Sequence, residues 1–268
     1  MKFVGNRVML IRPSIEQTDP PCSPKQTLPT MYDLPSEDPQ EHGLPDEFHD
    51  LQAQLLRETF RPSEYPQERI FVASDLNLYY DVRHPLWYKR PDWFAVVEVE
   101  RLYEGRDLRM SYVIWQEGVA PSVVVELLSP GTEKEDLGQT LREANQPPTK
   151  WEVYEQILRV PYYAVFDRYT NQLQAFTLVA GQYQKLNLET PRFWMSSMKL
   201  GLGLWQGEYC NINRQWLRWY DAQGSWIPTE VEQISIERQQ KELAIARAEQ
   251  LAERLRAMGI DPNQLEAE

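Results

Sequence analysis

Ser122-Val123-Val124-Val125-Glu126-Leu127-Leu128-Ser129 is apolar at every position between its two serines except Glu126. A run of this length, β-branched and apolar on both faces, reads as a central strand covered on each side. A carboxylate inside such a strand is expensive to bury unless a cation or hydrogen bonds compensate its charge. Strand alternation turns Glu126 to the face opposite Val125 and Leu127. Two other residues lie close enough in sequence to share a site with it. Asp92 follows Pro91 at the mouth of the run Trp93-Phe94-Ala95-Val96-Val97, and Lys150 opens the segment KWEVYEQIL. Two carboxylates at neighbouring strand ends, with the backbone carbonyl of Leu127, would make a hard oxygen site suited to Mg²⁺. An ammonium beside it would orient a water and stabilise developing negative charge, so the set suits phosphodiester hydrolysis. By spacing alone the alternative is an Asp in a turn, a salt-bridged Glu and a solvated Lys.

Further strand-like runs surround this one: IFVASDLNLYYDV, DWFAVVEVE, SYVIWQ, YYAVFD and QLQAFTLV, all rich in β-branched and aromatic residues. DEFHDLQAQLLRETF spaces Phe48, Leu51, Leu55 and Phe60 as an amphipathic helix with Asp46 at or near its N-cap. His49 in that helix reads as a lone surface histidine. Trp151, Tyr154, Ile157 and Leu158 recur at helical spacing after Pro147-Pro148, with Thr149 as the cap. A helix, several strands, a helix and more strands together predict a mixed α/β sheet with at least one helical crossover.

Residues 1–45 form a leader whose Pro- and acid-rich character begins near residue 13, 46–228 the main domain, and 229–268 a C-terminal helix, a possible coiled coil, ended by Gly259 and Pro262. Leu251, Leu255 and Met258 give that helix a short apolar seam, compatible with a homodimer. Residues 194–228 hold five of the nine tryptophans, around a hairpin-like turn at Asp221–Gly224, and packing is the expected role of these rings rather than base stacking. The net charge of −12 comes mostly from the flanks: residues 1–68 carry 12 acidic and 6 basic side chains, 229–268 carry 9 and 5, and the middle 19 and 17. Charge therefore neither supports nor excludes a DNA partner. Cys22 and Cys210 are far apart and only three histidines are present, which argues against a structural zinc site and for two unpaired thiols in a cytoplasmic protein. No apolar run is long enough to span a membrane, and the broken start does not read as a signal peptide.

The stretch from Pro91 to Asp167 resembles the Uma-type family, described as putative restriction endonucleases, within the PD-(D/E)XK nuclease superfamily. The resemblance is carried by Pro91-Asp92, the run Val124 to Thr132, Asp136, Lys150 with Tyr154 four residues on, and Pro161-Tyr162-Tyr163-Ala164-Val165-Phe166-Asp167. It implies a restriction-endonuclease-like mixed central sheet of about four main strands flanked by helices, here with a C-terminal strand extension and a helical tail. It further implies a Mg²⁺- or Mn²⁺-dependent DNA endonuclease, with Asp92 and Glu126 as metal ligands and Lys150 as the motif lysine. That lysine usually stands two residues after the Glu, where this chain has Leu128. This departure keeps open a non-catalytic interaction protein that retains the nuclease fold. Asp136 is expected to be a partner of Lys150 or a turn residue, and the segment between the two looks like an insertion. Glu47, with Glu58 as runner-up, is the candidate accessory acid from the first helix.

Overall fold

The computed structural model describes residues 46–129, 133–140 and 146–258. The expected leader, Cys22, Thr132, part of the segment before Lys150, and Gly259 and Pro262 lie outside these residues. The chain clusters into two compact units, residues 1–50 and 51–268.

Helix α1 (Glu47–Thr59) begins as its sequence predicts. Asp46 Oδ1 accepts the backbone N–H of His49 at 3.1 Å, an N-cap bond that satisfies one of the free donors of the first turn. His49 is buried rather than a surface residue, and its Nδ1 lies 2.8 Å from the same Asp46 oxygen.

The second unit is built on a six-stranded mixed sheet in the order β1-β4-β6-β7-β8-β9. Its strands are β1 (Ile70–Ala73), β4 (Trp93–Val97), β6 (Val123–Leu127), β7 (Tyr162–Asp167), β8 (Gln172–Val179) and β9 (Gln182–Lys185). The predicted central strand is β6, every residue of it buried, antiparallel to β4 and parallel to β7. Parallel neighbours need a crossover, and the chain between β6 and β7 supplies it as α3 (Glu133–Asp136), α4 (Lys150–Glu152) and a π turn (Val153–Ile157). Thr149 caps α4 with a full capping box: its hydroxyl accepts from Glu152 N while the Glu152 carboxylate accepts from Thr149 N. The sheet has six strands rather than about four because the antiparallel meander β7-β8-β9 extends one edge and β1 the other. On the crossover side, Phe94, Val96, Val124, Val153, Tyr154, Tyr163 and Val165 belong to one buried apolar cluster.

A small sheet β3-β2-β5 joins β2 (Leu78–Tyr79), β3 (Tyr88–Lys89) and β5 (Tyr112–Val113). SYVIWQ is thus only two residues of strand. Its remainder turns into α2 (Ile114–Glu117), which stops at Gly118 in the left-handed conformation. A third sheet pairs β10 (Arg192–Met195), β11 (Leu200–Tyr209) and β12 (Ile212–Tyr220), and the long β11–β12 hairpin turns at Cys210 and Asn211, both at positive φ. Two of its tryptophans pack as expected, Trp216 and Trp219 being buried with Trp219 Nε1 donating to Leu56 O at 2.9 Å, whereas Trp194 is 37% exposed. Gln52, fully buried in α1, bonds both backbone groups of Leu217, at 2.9 and 2.8 Å, and so fixes β12 to the helix. Beyond Tyr220 a short turn leads to α5 (Glu230–Ala257), started by a Thr229–Glu232 capping box and held by the buried Arg218, which pairs with Glu232 and donates to Ile227 O. Twenty-eight residues make α5 about 42 Å long. No residue of α5 is buried, and Leu251 and Met258 of its seam are exposed. No described helix is long and apolar enough to cross a membrane.

Candidate active site

The site follows from strand register. Trp93 pairs with Val125 across the antiparallel β4–β6 ladder, and continuing that register by one residue sets Asp92 opposite Glu126. Both then fall on the face that carries Phe94 and Val124, the face covered by the crossover. Like charges directly opposite one another on a sheet are destabilising, the more so on a buried face. This pair is held by backbone and cation. Asp92 N donates to Glu126 Oε2 at 3.3 Å, and Asp92 Oδ2 accepts from Leu127 N at 2.6 Å. Lys150 Nζ donates to Glu126 Oε2 at 2.9 Å, and Tyr154 OH donates to Glu126 Oε1 at 2.8 Å.

Lys150 and Tyr154 reach one carboxylate because residues four apart share a helix face, and the start of α4 is fixed by the Thr149 cap. The insertion before Lys150 therefore does not displace it from the strand ends. Asp136 enters from α3, almost fully buried, with Oδ1 3.0 Å from Lys150 Nζ. Its placement depends on two neighbours. Tyr163 OH donates to Asp136 O at 2.8 Å. Gly138, at φ +69°, lets the chain turn so close to Trp151 that a Cβ there would stand 2.8 Å from the indole. On the far side of α3, Lys89 Nζ donates to Glu135 Oε1 at 3.0 Å.

Three carboxylates and one ammonium thus converge. Burial pushes Glu126 well above the ordinary carboxylate range; Lys150 opposes that rise, and Asp92 and Asp136 reinforce it. For Lys150, burial works against the charge, but Asp136, Glu126 and Asp92 outweigh it and hold the ammonium well above its usual value. Burial and the neighbouring Glu126 likewise keep the Tyr154 hydroxyl protonated, so it remains a donor to that carboxylate.

The structure brings Asp92, Glu126, Lys150 and Asp136 together. Glu47 is exposed in the first turn of α1. Glu58 is engaged elsewhere, accepting from Gln54 Nε2 and Tyr209 OH. Leu128 is packed in the apolar cluster, so the usual lysine position faces the core. Among the described residues no group of three or more His, Cys, Asp or Glu is arranged to hold a metal ion. Tyr154 and Tyr163 figure in the sequence reading only within the helical and strand runs and the resemblance, without a role in the site, and the Lys89–Glu135 pair is a contributor that it missed.

A family model, Uma2, described as "Putative restriction endonuclease", matches residues 29–215. No curated protein matches. Among solved structures, one crystal structure is similar at 13% identity and a TM-score of 0.37, covering 56% of this chain and 72% of the other. It is described as a "putative nuclease belonging to DUF820" from Anabaena variabilis.

Proposed function

The chain belongs to the Uma2 family, and from that premise we propose that it is a metal-dependent endonuclease hydrolysing phosphodiester bonds of DNA. The observation that carries the proposal is the Asp92–Glu126 pair facing each other across a buried ladder with Lys150 on the shared oxygen. Carboxylates gathered on a buried face cost stability unless positive charge compensates them, so their retention here supports a functional rather than a structural role.

The donor set fits a hard divalent cation such as Mg²⁺ or Mn²⁺. Both side chains offer carboxylate oxygens, and among the described residues Asp92 Oδ1 makes no hydrogen bond. Asp92 and Glu126 would hold the ion, with the carbonyl of Leu127 as a further oxygen. Such an ion would polarise the phosphate and lower the pKa of a coordinated water. Lys150 stays charged and stabilises negative charge building on the phosphoryl oxygens, in place of the residue at Leu128. Asp136 orients the ammonium, and Tyr154 fixes the Glu126 carboxylate by its other oxygen. Glu47 remains an accessory acid in this proposal.

The catalytic domain is assigned to residues 46–228, preceded by the 1–45 leader and followed by the 229–268 helix, whose exposed seam would serve a homodimer. The protein acts in the cytoplasm. A second reading, a nuclease fold retained as an interaction module, has one observation in its favour: the motif lysine position is a buried leucine. Calorimetric titration with Mn²⁺ separates the two. Binding by the wild type and its loss in Asp92→Ala and Glu126→Ala support the enzyme, whereas no binding, together with no cleavage of single- or double-stranded DNA, leaves only the interaction module.

A further inference from the structure

The small sheet β3-β2-β5 has two unlike faces. Leu78, Lys89 and Tyr112 point inward and are buried, and Lys89 ties that face to Glu135, next to Asp136 of the site. The outer face carries aromatic rings that the core does not use. Tyr79 and Tyr88 are cross-strand partners with ring centroids 5.5 Å apart, and Trp115 from α2 stands edge-on to Tyr79 at 6.5 Å. Tyr88 is 43% and Trp115 40% exposed.

Cationic groups flank this row. Arg90 is exposed and has no carboxylate partner among the described residues, and its Nε donates to Asn77 Oδ1 across the strands at 3.0 Å. Arg83, on the β2–β3 loop, has an 82% exposed side chain whose Nε pairs with Asp81 Oδ1 at 3.2 Å. From Leu76 to Pro91 the chain carries Arg83, Lys89 and Arg90 against Asp81 alone, a basic stretch in a molecule of net charge −12. The same stretch runs directly into Asp92. Three residues lie between Tyr88 and Asp92, four steps of extended chain or at most about 13 Å.

We propose that the outer face of this sheet, with Tyr79, Tyr88 and Trp115 as stacking rings and Arg90 as a phosphate contact, binds a single-stranded stretch of nucleic acid and leads it to the Asp92–Glu126 site. Exposed aromatics beside an exposed guanidinium that no described carboxylate neutralises, here Arg90, form the combination that holds unpaired bases without reading their sequence. A duplex, its bases stacked on one another, offers such rings nothing to stack against. The proposal rests on the nuclease reading for its destination, but strand binding is measurable without cleavage.

The test is fluorescence anisotropy of a labelled oligothymidylate with the full chain in EDTA, where cleavage by a metal-dependent site does not enter. Tyr88→Ala and Trp115→Ala are each expected to weaken binding roughly 5- to 100-fold, while Tyr88→Phe and Trp115→Phe retain it. Arg90→Ala is expected to reduce the dependence of log affinity on log salt by about 0.7, one phosphate contact on a single strand. Circular dichroism checks that each variant is folded. No binding of the oligonucleotide, wild-type affinity in both alanine variants, or a change of oligomeric mass in those variants (the mark of a face covered by a second copy) would overturn it. Failure of catalysis would show separately, as wild-type protein that binds the strand and leaves DNA intact.

Discussion

Replacing Lys150 with Met keeps the length of the side chain and removes the ammonium that Glu126 and Asp136 share. Glu126 is 0% and Asp136 1% exposed, so neither recovers solvent in exchange. Breaking a buried ion pair by deleting one partner costs about 3–5 kcal/mol, because the surviving charge is left uncompensated. For a domain of this size each kcal/mol moves Tm by roughly 2–4 °C, so a loss of roughly 6–20 °C is expected near pH 8. The cost should depend on pH. Burial already raises Glu126, and losing Lys150 removes the opposing influence, so its folded value rises further above the unfolded one. A carboxyl raised in this way costs stability as pH rises from its unfolded value through its folded one. The difference between variant and wild type should therefore be largest near pH 8 and shrink as pH falls toward the ordinary carboxylate range. Urea unfolding of both proteins at pH 5.5 and 8 measures it. Equal stability at pH 8, or a penalty that grows on acidification, would refute the idea that Lys150 compensates buried carboxylates.

Other expectations follow from the same contacts. Gln52→Ala removes two buried bonds to Leu217 and leaves its N–H and C=O unpaired, which should cost about 2–4 kcal/mol in urea unfolding without altering the DNA product. Lys89→Met releases α3, a helix of only four residues, and should lower kcat about tenfold with KM little changed, since Asp136 then no longer holds Lys150 in place. A normal kcat would make the Lys89–Glu135 pair merely structural. Burial raises Glu232, but hydrogen bonds from Arg218 and Thr229 outweigh it and hold the carboxyl below its usual value. Its contribution is present above the unfolded value and lost as pH falls through the folded one. Glu232→Gln should accordingly flatten the acid limb of the stability profile, read from melting curves between pH 3 and 7.

The parts of this site that were legible in the sequence are those with local causes. An apolar run with one carboxylate can satisfy its surroundings only as a central strand with that carboxylate compensated, and a Thr-x-x-Glu step after two prolines can start a helix at one place. These marked Glu126 and Lys150 as candidates, and only the family resemblance, through Pro91-Asp92, joined Asp92 to them against the reading of a turn Asp, a salt-bridged Glu and a solvated Lys. What stayed illegible depends on packing between distant elements. Nothing near Lys89 announces Glu135, 46 residues away, and nothing in Gln52 announces Leu217, 165 residues away. SYVIWQ has strand composition throughout, yet Gly118 at positive φ closes a helical turn after two residues of strand, a tertiary preference overriding a local one. His49 looked like a surface residue because burial of a single histidine has no periodic signature.

Relaxation of supercoiled plasmid by the purified full chain, with Mg²⁺, with Mn²⁺ and with EDTA, tests the central claim most directly. The wild type should nick the plasmid only when a divalent ion is present. Asp92→Ala and Glu126→Ala, folded by circular dichroism, should be slower by at least about 100-fold, the scale of losing a principal electrostatic element of a hydrolytic site. Nicking at the wild-type rate by both variants, or undiminished nicking in EDTA, would contradict it.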